Sequence, residues 1–380
     1  MQQVTFQVVG IIGAGAMGRG IAQIAAQAGS VVKLFDTRSE AVVEAVQAIS
    51  GQWSRLQEKG RMTMEALAEN KSRLIGANAL SELSDCSLVV EAIVERIDIK
   101  KGLFAELEAI VGSQAVLATN TSSLSVTAIA ADLKYPQRFA GFHFFNPVPL
   151  MKVVEVIAGL KTDPSVCDAL TRFARQMGHT PVQAQDTPGF IVNHAGRGYG
   201  TEALRIVSEG VADFATIDRI LKDQAGFRLG PFELMDLTAL DVSHPVMESI
   251  YHQYYEEARY KPSVIGAQRL AAGLLGRKVG EGFYRYSGGA VVADPALQEA
   301  AAPPVPTVTE RARSASTSTK RRSRSRASLA SAVMRSSASR RVRLASGATP
   351  RMAPATVLGM SWNLRSRKIG RPSFCTSCTP

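Results

Sequence analysis

The 380-residue chain has only four cysteines, Cys86, Cys167, Cys375 and Cys378. So few, at such scattered positions, exclude a disulfide framework and fit a reducing compartment, so a cytoplasmic protein is expected. Cys375 and Cys378 have the spacing of half a zinc or redox site, but they lack a second ligand pair, and no metal is expected. No apolar run approaches the ~20 residues of a membrane-spanning helix, so no membrane partner is expected. No basic leader precedes an apolar stretch near the start. Residues 8–12 read instead as a buried strand, and a secretory signal is not expected.

Acidic residues are missing altogether from 311–380. That stretch holds 16 of the 44 Lys and Arg, leaving 28 basic against 33 acidic groups in the other 310 residues. The formal charge of +11 therefore originates in the tail, and the body is mildly acidic. The tail has 14 Arg to 2 Lys, 15 Ser and few large apolar side chains. It cannot bury enough surface to offset the entropy of ordering, so a disordered basic tail over 300–380, outside the functional fold, is expected. At the body's acidic frequency about seven Asp or Glu would fall in it. We read this bias as a shifted reading frame in GC-rich codons, with a genuine basic tail as the alternative. Clustered arginines would bind phosphates non-specifically and in a salt-dependent way. Only Trp362 and Phe374 are aromatic there, and no specific nucleic-acid partner is expected.

The length suffices for two domains with separate cores. Up to about residue 185, apolar runs at 8–12, 31–35, 87–92, 116–118, 139–144 and 153–157 alternate with amphipathic segments. That is the pattern of an α/β fold with a parallel sheet wrapped by helices. Asp186, Thr187, Pro188 and Gly189 then punctuate the chain. Helical periodicity at 191–209, 214–225 and 246–258 predicts a separate all-α domain to about Tyr286. No internal repeat is visible.

Gly13, Ala14, Gly15, Ala16, Met17 and Gly18 follow the first apolar run and open a helical stretch. The glycines permit a tight turn and a close backbone approach to a pyrophosphate, and the helix N-terminus presents free amides to it. The G-x-G-x-x-G spacing is weak alone; its place between strand and helix supplies the weight. Asp36 ends the second run, 18 residues after Gly18. A carboxylate there accepts from both ribose hydroxyls of NAD and repels a 2′-phosphate. NAD is the expected cofactor. Asp36 also reads as a turn cap, and Arg38 close by leaves room for NADP.

Hydroxyl oxidation by NAD needs a group that takes the alcohol proton as hydride leaves the carbon, which an imidazole suits. His143 ends an apolar strand, at the edge of an α/β sheet where ligands bind. Glu155 on the next strand can hold the second ring nitrogen, and Ser122 and Asn193 offer hydrogen bonds to substrate oxygens. By spacing alone a lone strand histidine is more often a satisfied core residue, and serine-rich turns after strands are common.

Together these segments resemble the 3-hydroxyacyl-CoA dehydrogenase family. The resemblance runs from Val8 to about Tyr286 through GAGAMGRGIAQ (13–23), VVEAIVE (89–95), NTSSLS (120–125), GFHFFNPVPLMKVVEVI (141–157), DTPGFIVN (186–193), LGPFELMDL (229–237) and GRKVGEGFY (276–284). It implies a Rossmann-type NAD-binding domain over 1–185 and a helical C-terminal domain over 186–290. It implies oxidation of an L-3-hydroxyacyl-CoA to the 3-oxoacyl-CoA, with His143 as general base and Glu155 orienting it. Ser122 and Asn193 would bind the reacting hydroxyl and the thioester carbonyl. Glu95, Lys100, Ser122, Asn146 and Lys278 fall where the family contacts NAD, together with Gly13, Gly15, Ala16, Met17, Gly18 and Asp36. Lys59 matches a CoA-binding lysine, while Gln52 stands where the family has serine. Ala239 replaces a common glycine and is expected to be tolerated. A homodimer through the helical domain is implied.

The wording of 193–206 and 240–260 resembles the long bacterial members from phenylacetate degradation, which oxidise 3-hydroxyadipyl-CoA; 3-hydroxybutyryl-CoA is the other expected substrate. Arg197 is a candidate for the distal carboxylate, with a plain surface arginine as the alternative. Long members carry a second helical copy, and the basic tail is expected to stand in its place here. The nearest rival is a 3-hydroxyacid dehydrogenase of the 6-phosphogluconate-dehydrogenase-like type, which uses a lysine base. The HFFNP stretch argues against it. A nucleic-acid binder acting through the tail and a non-catalytic relative are the remaining readings.

Overall fold

The computed structural model of the protein describes residues 5–292. The expectations for the tail over 300–380 and for Cys375 and Cys378 lie outside the described residues. Described elements run β1 (Val8–Ile12), α1 (Ala16–Gln27), β2 (Val31–Phe35), α2 (Ser39–Glu58), α3 (Met64–Arg73), β3 (Leu74–Gly76), β4 (Leu88–Glu91), α4 (Ile97–Ile110), β5 (Val116–Thr119) and α5 (Val126–Ala130). They continue through β6 (Phe139–Phe144), β7 (Val153–Ala158), α6 (Pro164–Gln176) and β8 (Thr180–Gln185). Helices α7 (Val192–Ser208), α8 (Phe214–Ala225), α9 (Pro231–Thr238), α10 (Leu240–Gln253) and α11 (Val264–Ala271) follow, then a short hairpin of β9 (Tyr286–Ser287) and β10 (Ala290–Val291).

Eight strands form one sheet in the order β3-β2-β1-β4-β5-β6-β7-β8. Its central strands are apolar because helices bury both faces. Side chains of α1, α2 and α6, such as Ile21, Trp53 and Phe173, pack on one face with Val9, Leu34 and Val90. Phe104, Leu107 and Ile129 of α4 and α5 pack on the other with Val89 and Leu117. The two edge strands carry no apolar run and escaped the pattern. β3 has three residues, and β8 is half exposed and contains Pro181, which an edge strand tolerates because one side of it donates no ladder bonds.

The sheet is not wholly parallel, as the alternation suggested. β6 and β7 are antiparallel, while every other neighbouring pair is parallel. Eight residues separate Phe144 from Val153. A parallel return needs a crossover of about a dozen or more.

The helical part has its own core around Leu204, Phe232, Leu240 and Phe283. Two buried carboxylates tie it together. Asp218 accepts from the Phe232 and Glu233 amides and the Tyr284 hydroxyl, capping α9. Asp236 accepts from the Phe283 and Tyr284 amides and the Tyr286 hydroxyl. α10 begins at Leu240, six residues before the predicted start at 246, and runs through Pro245. Ala239, between α9 and α10, sits at φ +65° and ψ 137°, a conformation that favours glycine. The chain accepts alanine there with backbone strain.

Candidate active site

The glycine loop joins β1 to α1. Gly13 has φ +105°, and a Cβ on it would lie 2.5 Å from the Ala92 carbonyl oxygen. A Cβ on Gly18 would lie 1.7 Å from the Gly13 carbonyl oxygen, so this glycine lets α1 close onto the turn. At Gly15 a Cβ would meet open space, and no side chain caps the helix there. The first amides of α1 therefore face a volume open to an anion, which fits a dinucleotide pyrophosphate. Asp36 ends β2 beside the loop; its carboxylate accepts from the Ala14 amide at 2.8 Å and the Arg38 amide at 3.0 Å. Two amides leave acceptor capacity on a carboxylate for a ribose diol.

The antiparallel β6–β7 register sets His143 opposite Glu155. Residues directly opposite project to the same face, and His143 Nδ1 lies 2.7 Å from Glu155 Oε2. Both are buried, at 4% and 0% exposure. An ionised carboxylate only accepts, so a neutral ring here carries its proton on Nδ1 and leaves Nε2 its lone pair. Nε2 has no hydrogen-bond partner among the described residues. Glu155 does more than hold the ring. Its Oε1 accepts from the Ile191 and Val192 amides, at 2.9 and 3.0 Å, at the start of α7. The next residue, Asn193, donates to the Ser122 carbonyl at 3.1 Å.

Ser122 belongs to a turn wrapped around Glu95. One oxygen of Glu95 accepts from the Thr121 hydroxyl at 2.7 Å, the Ser122 amide at 2.9 Å and the Ser123 amide at 3.2 Å, and lies 3.3 Å from Ser122 Oγ. Lys100 stands behind it, 3.3 Å from Glu95 and 2.5 Å from Glu91. Burial pushes the Glu95 carboxyl up, but the Lys100 charge and the hydroxyl and amide donors outweigh it and hold the group below its ordinary value.

Residues 8–187 match the 3-hydroxyacyl-CoA dehydrogenase NAD binding domain, and residues 189–286 match the C-terminal domain of the same family. The chain belongs to the 3-hydroxyacyl-CoA dehydrogenase family.

It is 41% identical to the 3-hydroxyadipyl-CoA dehydrogenase of Escherichia coli over 79% of its own length and 64% of that protein's. It is 42% identical to a probable 3-hydroxybutyryl-CoA dehydrogenase of Deinococcus radiodurans, over 73% of this chain and 99% of that one. Among solved structures it is similar to a 3-hydroxybutyryl-CoA dehydrogenase from Escherichia coli, with a TM-score of 0.72 and 42% identity, covering 76% of this chain and 62% of the other. The (S)-3-hydroxybutyryl-CoA dehydrogenase of Ralstonia eutropha aligns at a TM-score of 0.71 and 36% identity, over 74% and 99% of the two chains.

Of the residues expected in this dehydrogenase site, His143, Glu155, Ser122, Asn193 and Glu95 are joined by contacts, directly or through one intervening backbone group. Lys100 is 1% exposed and supports Glu95 from behind. Asn146 lines a cleft of about 310 Å³ with Ala16, the first residue of α1, and with Arg19 and Gln52. Lys59 is exposed at the end of α2. Lys278 pairs with Asp241 at the start of α10, and no described hydrogen bond links it to the glycine loop. Three groups escaped sequence reasoning. Asn120 accepts from the Phe144 amide, tying the β5 loop to the end of β6. Asp186 accepts from the Val126 and Thr127 amides and the Ser125 hydroxyl, capping α5 from the interdomain turn. Glu91 anchors Lys100. Single polar residues at strand ends and in turns report no spacing that would have singled them out. Among the described residues no helix is long and apolar enough to cross a membrane, and no cluster could hold a metal ion.

Proposed function

We propose that the chain oxidises the 3-hydroxyl of an L-3-hydroxyacyl-CoA to a ketone with NAD. The observation that carries this reading is the buried His143–Glu155 pair, whose carboxylate also holds the α7 turn bearing Asn193. Gly13, Gly15, Gly18 and Asp36 would hold NAD, which would supply the hydride acceptor for C3. His143 Nε2 takes the hydroxyl proton, and Glu155 keeps the ring in the tautomer able to do so and stabilises the imidazolium that results. Ser122 and Asn193 orient the substrate oxygens, and Glu95, backed by Lys100, shapes the turn that carries Ser122. Asp36 and the open face at Gly15 hold the dinucleotide. Lys59 contributes to CoA binding, and Asn146 and Lys278 to NAD.

The relatives' names make 3-hydroxyadipyl-CoA and 3-hydroxybutyryl-CoA the substrates to test. We also place the protein in the cytoplasm as a homodimer through its helical domain, where Val211, Leu237, Val242 and Val264 are exposed, with no specific nucleic-acid partner. The primary experiment is NADH formation from both L-3-hydroxyacyl-CoAs with the wild-type protein and with His143→Gln. Wild-type turnover with a loss of at least ~10²-fold in kcat for the variant is expected. Near-normal turnover in the variant would exclude His143 as the base.

A further inference from the structure

Arg197 lies on α7 one turn beyond Asn193, so the two share a helix face. Its Nε donates to the Asn193 carbonyl at 3.4 Å, so the side chain runs back toward the turn that Glu155 and Ser122 hold. Burial pulls the guanidinium down from its ordinary value. Arg138, Arg205 and Arg285 each meet a glutamate, whereas no acidic side chain among the described residues pairs with Arg197. A half-buried cation without a counter-ion carries a desolvation cost that an anion meeting it in the working state would offset. The planar guanidinium fork matches a carboxylate with two parallel hydrogen bonds.

Because the guanidinium lies beside Asn193, which orients the substrate oxygens, an anion carried on a short acyl chain near C3 comes within its reach. We propose that Arg197 is a specificity-determining residue. It receives a second carboxylate at the far end of the acyl chain, so the enzyme selects dicarboxylic 3-hydroxyacyl-CoA thioesters over monocarboxylic ones. This rests on the dehydrogenase activity proposed above.

Two substrates of equal chain length isolate the effect: L-3-hydroxyadipyl-CoA, ending in a carboxylate, and L-3-hydroxyhexanoyl-CoA, ending in a methyl. Their CoA phosphates are identical and cancel in the ratio of kcat/KM, which is also independent of the fraction of folded enzyme. The full-length wild-type chain should favour the adipyl substrate. Arg197→Met should lower that ratio ~10- to 100-fold, the loss expected for a charge-assisted hydrogen-bonded pair, mainly by raising KM for the adipyl substrate. Arg197→Lys, which keeps the charge without the fork, should fall between. An unchanged ratio in Arg197→Met, or a wild-type preference for the hexanoyl substrate, would overturn the assignment. Wild-type inactivity on both would instead overturn the dehydrogenase reading and this inference with it.

Discussion

Replacing Glu155 with glutamine tests the site most sharply, because the carboxylate answers to two masters that an amide cannot both satisfy. One oxygen accepts from His143 Nδ1 at 2.7 Å, and the other accepts from the Ile191 and Val192 amides. A glutamine that keeps its carbonyl toward α7 turns its NH2 group toward Nδ1. The ring must then accept at Nδ1 and carry its proton on Nε2, where it cannot take the substrate proton. The opposite rotamer restores the Nδ1 bond but points NH2 at two N–H donors at the start of α7. Either way one function is lost. A wrong tautomer in a comparable histidine–carboxylate pair costs ~10⁴ in kcat, and loss of general-base catalysis alone costs ~10²–10⁴. We therefore expect kcat for NADH formation to fall ~10²–10⁴-fold. The protein should also lose about 1–3 kcal/mol of stability as charge-assisted bonds become neutral or unmade. Steady-state kinetics at 340 nm, NADH binding by fluorescence and a urea titration read these separately. NADH affinity should hold, since no described contact links Glu155 to the glycine loop. A Glu155→Gln protein that turns over within a few-fold of wild type would refute the tautomer argument.

Four further outcomes follow from the geometry. Asp36→Ser should erode the preference for NAD over NADP in kcat/KM, because the carboxylate at the end of β2 no longer repels a 2′-phosphate; an unaltered preference would place selectivity elsewhere. Burial pushes the Asp218 carboxyl up to about 6, against ~3.9 when unfolded, so its ionisation opposes folding. The stability it contributes is present below about pH 4 and is lost as pH rises to about 6, and the wild-type urea midpoint should fall relative to Asp218→Asn across that window; parallel curves would contradict the shift. Ala239→Gly should relieve the strain at φ +65° and raise Tm by about 2–4 °C, and a lower Tm would show that the backbone there is not strained. A chain ending at Ala300 should keep full activity, and its inactivity would show that the tail composition misled us; a mass spectrum of the native protein tests the reading-frame expectation directly.

Local pattern made much of the molecule legible. The apolar runs marked six of the eight sheet strands, since a strand buried on both faces is apolar along most of its length. The glycine spacing located the turn into α1, and the 3.6-residue periodicity announced three of the five described helices beyond Gly189. The same residues carried the family resemblance. Tertiary structure decided what local pattern cannot encode. Whether β7 returns parallel or antiparallel depends on the short 145–152 connection, and its register alone sets Glu155 opposite His143. The second grip of that carboxylate on α7 and the seating of Glu95 beneath the Ser122 turn join residues far apart in the chain, and only the fold shows that no acidic side chain among the described residues pairs with Arg197. Periodicity reports which face a side chain occupies; only the packed fold reports which polar group it meets there.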